Sequence, residues 1–266
     1  MKRVNHISVK EIRSNYQGHH KSEQDKNELM GYYVIRPLSF YPTAVFMNLG
    51  LTANQTTWIS IVVLILGCLL LTVGSYFAAV AGAALLNVWV ILDFVDGNIA
   101  RYEQTSSRYG ELLDALGAFV AHIAFFAAGI GFYFSGSSRF VSGSTWMWES
   151  YPAVILILGA IASLAAIWAR LVYHKFRNTF SGSDFEKHEV VKVQETSSRS
   201  AIILHIGHNL VNLSGFLLPL LLAAALLNMI DIFIVILAAS NMSILTISLI
   251  RILRMARECE SAEASK

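Results

Sequence analysis

Polar residues break the chain into long apolar stretches. Six of these, near residues 57–73, 77–101, 110–134, 152–174, 201–227 and 232–254, fall at or above the roughly 17–25 residues an α-helix needs to cross hydrocarbon. Two connections are tight: Gly74-Ser75-Tyr76, and the turn from Asn228 to Asp231. The pattern predicts an all-α integral membrane protein with six transmembrane helices. The stretch 28–46 is mixed apolar and basic, with Pro37 and Pro42; it reads as one or two short amphipathic pieces along the cytosolic interface. Residues 1–25 read as a loosely ordered tail. The resulting division is an N-terminal segment over 1–50, a membrane domain over 51–256 and a tail over 257–266.

Composition agrees with this layout: 55% of the 266 residues are hydrophobic and 14% are charged, too apolar a balance for an ordinary water-soluble domain. A formal net charge of +2 favours no particular partner, and no nucleic-acid partner is expected. The placement of charge says more. Basic residues cluster in the N-terminal segment (Lys10, Arg13, Arg36 among them), at Arg101 and Arg108, after the fourth span (Lys175, Arg177, Lys187, Lys192, Arg199) and at the C-terminus (Arg251, Arg254, Arg257), with Arg139 alone on the other side. The positive-inside rule then puts both termini in the cytosol, with Trp146 and Trp148 as interfacial anchors on the far side. The first strongly apolar run begins only near Thr57, so no signal peptide is expected. Cys68 and Cys259 have neither metal spacing nor a disulfide framework.

Three carboxylates break the apolar rule. Asp93 and Asp96, three residues apart, project from one face near the cytosolic end of the second span. Asp114 stands at the same level at the start of the third. Gly97 and Ala100 keep that face open for close approach of a ligand. A carboxylate within a span costs roughly 2.5–3.5 kcal/mol, and three together repel. A cation removes both penalties. All-oxygen donors without Cys or His favour a hard ion, Mg²⁺ first, with Mn²⁺ or Ca²⁺ as alternatives, and open coordination positions suit phosphate oxygens. The alternative is interhelical hydrogen bonding, or a pair between Asp96 and Arg101.

The stretch D-F-V-D-G-N-I-A-R, eight residues, then G-E-L-L-D resembles the signature of CDP-alcohol phosphotransferases, D-x-x-D-G-x-x-A-R-x(8)-G-x-x-x-D-x-x-x-D. Asp93, Asp96, Gly97, Ala100, Arg101, Gly110 and Asp114 match in identity and spacing. The resemblance implies an enzyme that transfers a substituted phosphate from a CDP-alcohol to an acceptor hydroxyl and releases CMP. It implies that Asp93, Asp96 and Asp114 hold divalent metal. It further implies that these aspartates, with Gly97, Ala100, Arg101 and Gly110, form the nucleotide site, and that the protein is a homodimer. CDP-diacylglycerol is the first-choice donor, in phospholipid-type synthesis; a soluble CDP-alcohol with a lipid acceptor is the alternative.

The signature ends on a fourth aspartate, the family's general base, and here that position is Ala118. Three explanations stand: a deleted catalytic carboxylate, a branch whose chemistry uses another base, and a non-catalytic nucleotide- or lipid-binding pseudoenzyme. His122, one turn further on the same face, is the first substitute base, set against its alternative as a histidine bonded between spans. Glu111 is the second. A transporter using the same carboxylates would leave the glycine, alanine and arginine spacing unexplained.

Other polar residues in the spans suggest an acceptor or phosphate site. Arg170 is embedded furthest in its helix; Lys175 and Arg177 follow it. His205, His208 and Asn209 share a stripe with Asn212 at the start of the fifth span, which faces protein or a polar cavity. The bland readings are positive-inside anchoring for the first group and interhelical hydrogen bonding for the second.

Overall fold

The computed structural model describes residues 7–17, 28–135, 151–180 and 212–264. Its first helix, α1 (Val9–Gln17), starts at a reciprocal cap: the Glu11 amide donates to Ser8 Oγ at 3.3 Å and the Ser8 amide to Glu11 Oε2 at 2.9 Å. Ile12 and Tyr16, four residues apart, are buried against Phe40, Ala44 and Met47 and against Val95 and Ile99. Asn48 fastens its entry, accepting from the Ile7 amide at 2.9 Å and donating to the Ile7 carbonyl at 3.0 Å. The expected loose tail is therefore corrected over this stretch. Two buried apolar residues, with Val9 partly buried beside them, hold the helix down, too few to stand out as a period in a polar sequence.

A wide π-helical turn over Gly31–Ile35 leads into α2 (Arg36–Asn48). Its inner face buries Phe40, Ala44 and Met47, while Tyr41 and Val45 point outward. Thr52 and Gln55 then cap α3 (Ala53–Leu71) reciprocally. After the Gly74 turn Ser75 caps α4 (Tyr76–Glu103), and after a second turn Ser107 caps α5 (Arg108–Phe134). Pro152 opens α6 (Pro152–Thr179). A wide turn over Leu213–Leu217, broken at Gly215, precedes α7 (Leu218–Leu226), and α8 (Ile230–Ala264) completes the described chain.

Among the described residues α3, α4, α5, α6 and α8 are long and apolar enough to cross a membrane, and 213–226 is a shorter apolar helix. The first half of the expected fifth span, 201–211, lies outside the described residues. The protein is a multi-pass, all-α membrane protein, and its exterior has the composition lipid requires. On α3 the buried stripe carries Thr56, Thr57, Ser60, Leu64 and Gly67, while Trp58, Val62, Ile65 and Leu69 face out. Lipid tails are as apolar as leucine, so the helices are held by close contact and interhelical hydrogen bonds instead of by exclusion from water. Glycine permits the contact. A Cβ on Gly82 would stand 2.7 Å from the Gly67 carbonyl, and one on Gly159 2.7 Å from the Phe125 carbonyl. These two crossings join α3 to α4 and α5 to α6. Asn87 Nδ2 donates to the Leu218 carbonyl, tying α4 to α7, and Asn241 Nδ2 to the Ala162 carbonyl, tying α8 to α6. Ser163 Oγ donates to the His122 carbonyl at 2.6 Å and accepts from the Phe126 amide at 3.0 Å, so a hydroxyl from α6 is inserted into one step of the α5 ladder.

Candidate functional site

Helical periodicity places Trp89, Asp93, Asp96, Gly97 and Ala100 along one side of α4, and Gly110, Asp114 and Ala118 along one side of α5. These surfaces bound a cavity of about 800 Å³, within the range of small-molecule sites. All seven matched positions line it: Asp93, Asp96, Gly97, Ala100, Arg101, Gly110 and Asp114. So do Glu111, Ala118 and Arg170.

The three aspartates differ in their surroundings. Asp96 is 8% exposed, and its Oδ2 lies 2.7 Å from Thr57 Oγ1 on α3. Thr57 Oγ1 also lies 3.0 Å from the Ala53 carbonyl; its single proton favours the shorter, charged contact. The Asp93 and Asp114 carboxyl groups are within hydrogen-bonding reach of each other, with the charge of Arg170 nearby. Two carboxyl groups this close require a proton or a cation between them. Among the described residues no three His, Cys, Asp or Glu side chains are grouped as a ready-made metal cage. By chemistry the donors suit a hard divalent ion, but Asp96 commits one oxygen to Thr57.

Gly97 lines the cavity and also stands beside Arg101. A Cβ there would stand 3.0 Å from Arg101 Nη2 and 3.2 Å from Nη1; the missing side chain makes room for the arginine head group. Arg101 Nη2 donates to Asn98 Oδ1 at 3.1 Å. Gly110 similarly clears space beside Asn54, whose Oδ1 would lie 3.2 Å from an added Cβ.

At the level of Ala118 two buried donors have no hydrogen-bond partner, Trp89 Nε1 and Arg170 Nε. Trp89 is 2% exposed, and its Nε1 lies 4.0 Å from where a Gly117 Cβ would be. The Arg170 guanidinium rests over Phe119, 5.7 Å from the ring centroid. His122 is not among the residues lining the cavity. Its Nδ1 is buried without a hydrogen-bond partner, and its ring lies 6.1 Å from that of Phe125. Lys175 and Arg177 are exposed at the end of α6 and do not line the cavity. His205, His208 and Asn209 lie outside the described residues.

Asn212, from the polar stripe before α7, lines the cavity too. The cavity also recruits groups the sequence did not single out for it: Arg36 comes from α2, Thr57 from α3 and Ser214 from the turn before α7. Glu28 joins them: its carboxylate accepts from Ser214 Oγ at 2.7 Å and from Asn212 Nδ2 at 3.2 Å. The one available signal was the polar stripe Thr56, Thr57, Ser60 on an otherwise apolar helix.

A search of curated proteins gives no match to the chain. The family model for CDP-alcohol phosphatidyltransferase matches residues 50–237, a range that begins just before α3, includes the whole motif and ends in α8. A match over most of the chain, with every matched motif position on one cavity, makes this protein a member of the CDP-alcohol phosphatidyltransferase family, whose members transfer a phosphate-linked alcohol group from a CDP-alcohol to an acceptor.

Proposed function

We propose that this protein is an active CDP-alcohol phosphotransferase that takes CDP-diacylglycerol as donor, works at the cytosolic face and releases CMP. The observation that carries this reading is the convergence of all seven matched motif residues on one cavity. Its wall joins carboxylates, arginines and small residues, the mixture a nucleoside diphosphate needs. The basic ends of α4, α5 and α6 support the cytosolic orientation. A homodimer is the expected assembly.

In the reaction the acceptor hydroxyl oxygen attacks the phosphorus that bears the alcohol. The bridging P–O bond breaks, CMP leaves with that bond's electrons, and the hydroxyl proton passes to a base. Asp93, Asp96 and Asp114 are the residues that would hold a divalent ion, Mg²⁺ or Mn²⁺. Neutralising the diphosphate and the departing CMP is the chemistry such an ion supplies. Arg101 and Arg170 carry positive charge on the same cavity and favour the anionic ligand. Of the two groups considered in place of the missing carboxylate, Glu111 lines the cavity and His122 does not. Glu111 therefore takes the role of base in this reading.

A second reading has its own observation. Ala118 offers no proton acceptor, and the neighbouring Trp89 and Arg170 donors have no partner; a binder that holds CDP-alcohol without turnover would have this arrangement. A CMP-release screen over CDP-diacylglycerol and soluble CDP-alcohols, each with a panel of acceptors, separates the two. Release with CDP-diacylglycerol supports the proposal. Release with a soluble donor alone moves the donor assignment, and CDP binding with no release from any pair supports the binder.

A further inference from the structure

Two donors at the floor of the cavity meet no acceptor. Trp89, 2% exposed, brings its indole Nε1 from α4, and Arg170 brings Nε from α6. Neither atom has a hydrogen-bond partner among the described residues, and both residues line the cavity. They reach α5 at the two sequence neighbours of one residue. Trp89 Nε1 lies 4.0 Å from where a Gly117 Cβ would stand, and the Arg170 guanidinium rests over the Phe119 ring. Between those two is Ala118, which lines the same cavity and has no acceptor on its side chain.

An indole N–H and a guanidinium only donate. A buried donor left unmet costs about 1–3 kcal/mol, so the group that settles here must bring acceptors. An ammonium would be repelled by Arg170, and a neutral hydroxyl brings a proton of its own to a floor of donors. An ionised carboxylate is acceptor-only, offers two oxygens to two donors, and matches one guanidinium with one negative charge. The other cavity arginines attach elsewhere: Arg36 and Arg101 are bonded to Asn98, and Arg108 is in the first turn of α5. A single cation thus serves the floor, too little for a dianionic phosphate. Asp93 shares the Arg170 charge but is hydrogen-bonded with Asp114, and it leaves Arg170 Nε unmet.

We propose that the floor beside Ala118 is a carboxylate subsite, and that the acceptor alcohol is a short hydroxy acid held there by Trp89 Nε1 and Arg170 Nε. Positions 114 and 118 are about one turn apart, roughly 6 Å along the helix axis. A carboxylate at the floor therefore leaves the hydroxyl of a short hydroxy acid near the level of the aspartates. The acceptor's own carboxylate takes the place that a carboxylate side chain at 118 would occupy. Trp89 and Arg170 become the residues that set acceptor specificity. The inference goes beyond the CDP-alcohol reading in naming the acceptor class, and it rests on that reading.

The test uses the full chain in detergent, with glycerate and glycerol as acceptors of matched size and glycerol phosphate beside them. Equilibrium dialysis reads retention of labelled glycerate with CDP and Mg²⁺ present, and CMP release from CDP-diacylglycerol reads kcat/KM for each acceptor. The unmodified chain should retain glycerate and prefer it to glycerol roughly ten- to hundredfold, the scale of a hydrogen bond to a charged group. Trp89→Phe keeps a ring but removes the N–H, and should lower that preference roughly tenfold, through KM. Arg170→Gln should abolish it. Ala118→Asp puts a fixed carboxylate on the floor, so glycerate retention should be lost even where CMP release with glycerol rises. If Arg170→Gln does not fold, Trp89→Phe carries the test. Equal use of glycerate and glycerol, or a preference unchanged in folded Trp89→Phe, would overturn the subsite; so would a preference for glycerol phosphate over glycerate. Glycerate retention that depends on Trp89, without CMP release, would support the subsite and overturn the active-enzyme reading. CMP release with other acceptors and no glycerate retention would do the reverse.

Discussion

The two walls of the cavity are built on opposite terms. At the motif end of α4 two buried polar side chains have partners: Asp96 receives the Thr57 hydroxyl, and Asn98 makes four hydrogen bonds. Facing them, α5 presents an exposed Asp114, an exposed Glu111 and the methyl of Ala118, and at the floor stand two unpartnered donors, Trp89 Nε1 from further along α4 and Arg170 Nε from α6. A buried polar network that is fully satisfied holds one geometry, whereas open or unsatisfied groups leave the geometry to whatever binds. On the proposed reading the motif end of α4 would hold the nucleotide and the α5 wall would meet the acceptor.

The largest effect should come from the α4 wall. Asp93→Asn is expected to lower CMP release by roughly 10²–10³-fold, the scale of losing one preorganised charge-stabilising group, without lowering the melting temperature, because it relieves repulsion with Asp114. On the other wall, Ala118→Asp should raise CMP release by about 10²-fold, the lower end of what a positioned base contributes. Glu111→Gln should then slow the parent chain more than the Ala118→Asp variant; equal slowing of both would remove Glu111 as the base. Next comes a stability contrast. Thr57→Val takes the hydrogen bond from a buried carboxylate and should cost about 1–3 kcal/mol, read from denaturation of the detergent-solubilised protein. Trp89→Phe is the smallest. It removes an N–H that already has no partner, so relief of that penalty offsets lost packing and stability should stay within about 1 kcal/mol of the parent. A large loss there would mean that the floor is satisfied after all.

The α4 and α5 residues were legible in the sequence because helical spacing alone puts 93, 96, 97 and 100 on one side, and 110, 114 and 118 on another. Five of the spans were legible from hydropathy, which identified helices that the structure extends by a few residues at capped ends such as Thr52 and Ser107. Hydropathy could not see the backbone break at Gly215 ahead of α7, because Leu213, Phe216 and Leu217 are as apolar as any helix interior. Nor could a local pattern find Arg36, Glu28 or Ser214. Each reaches the cavity from a separate segment, and their convergence depends on tertiary packing. Arg36 looked like one more interfacial cation until Asn98, 62 positions away, supplied its partner. The spacing put Gly97 on the cavity face, where it lies, but could not show that Arg101 packs beside it; which neighbour lies next to a gap is not encoded in the spacing.

The most direct measurement is calorimetric titration of the unmodified, detergent-solubilised chain with CDP, with and without Mg²⁺, alongside Asp93→Asn. The account predicts CDP uptake that requires magnesium and is lost in the variant. Uptake indifferent to magnesium and to Asp93, or no uptake under either condition, would contradict it.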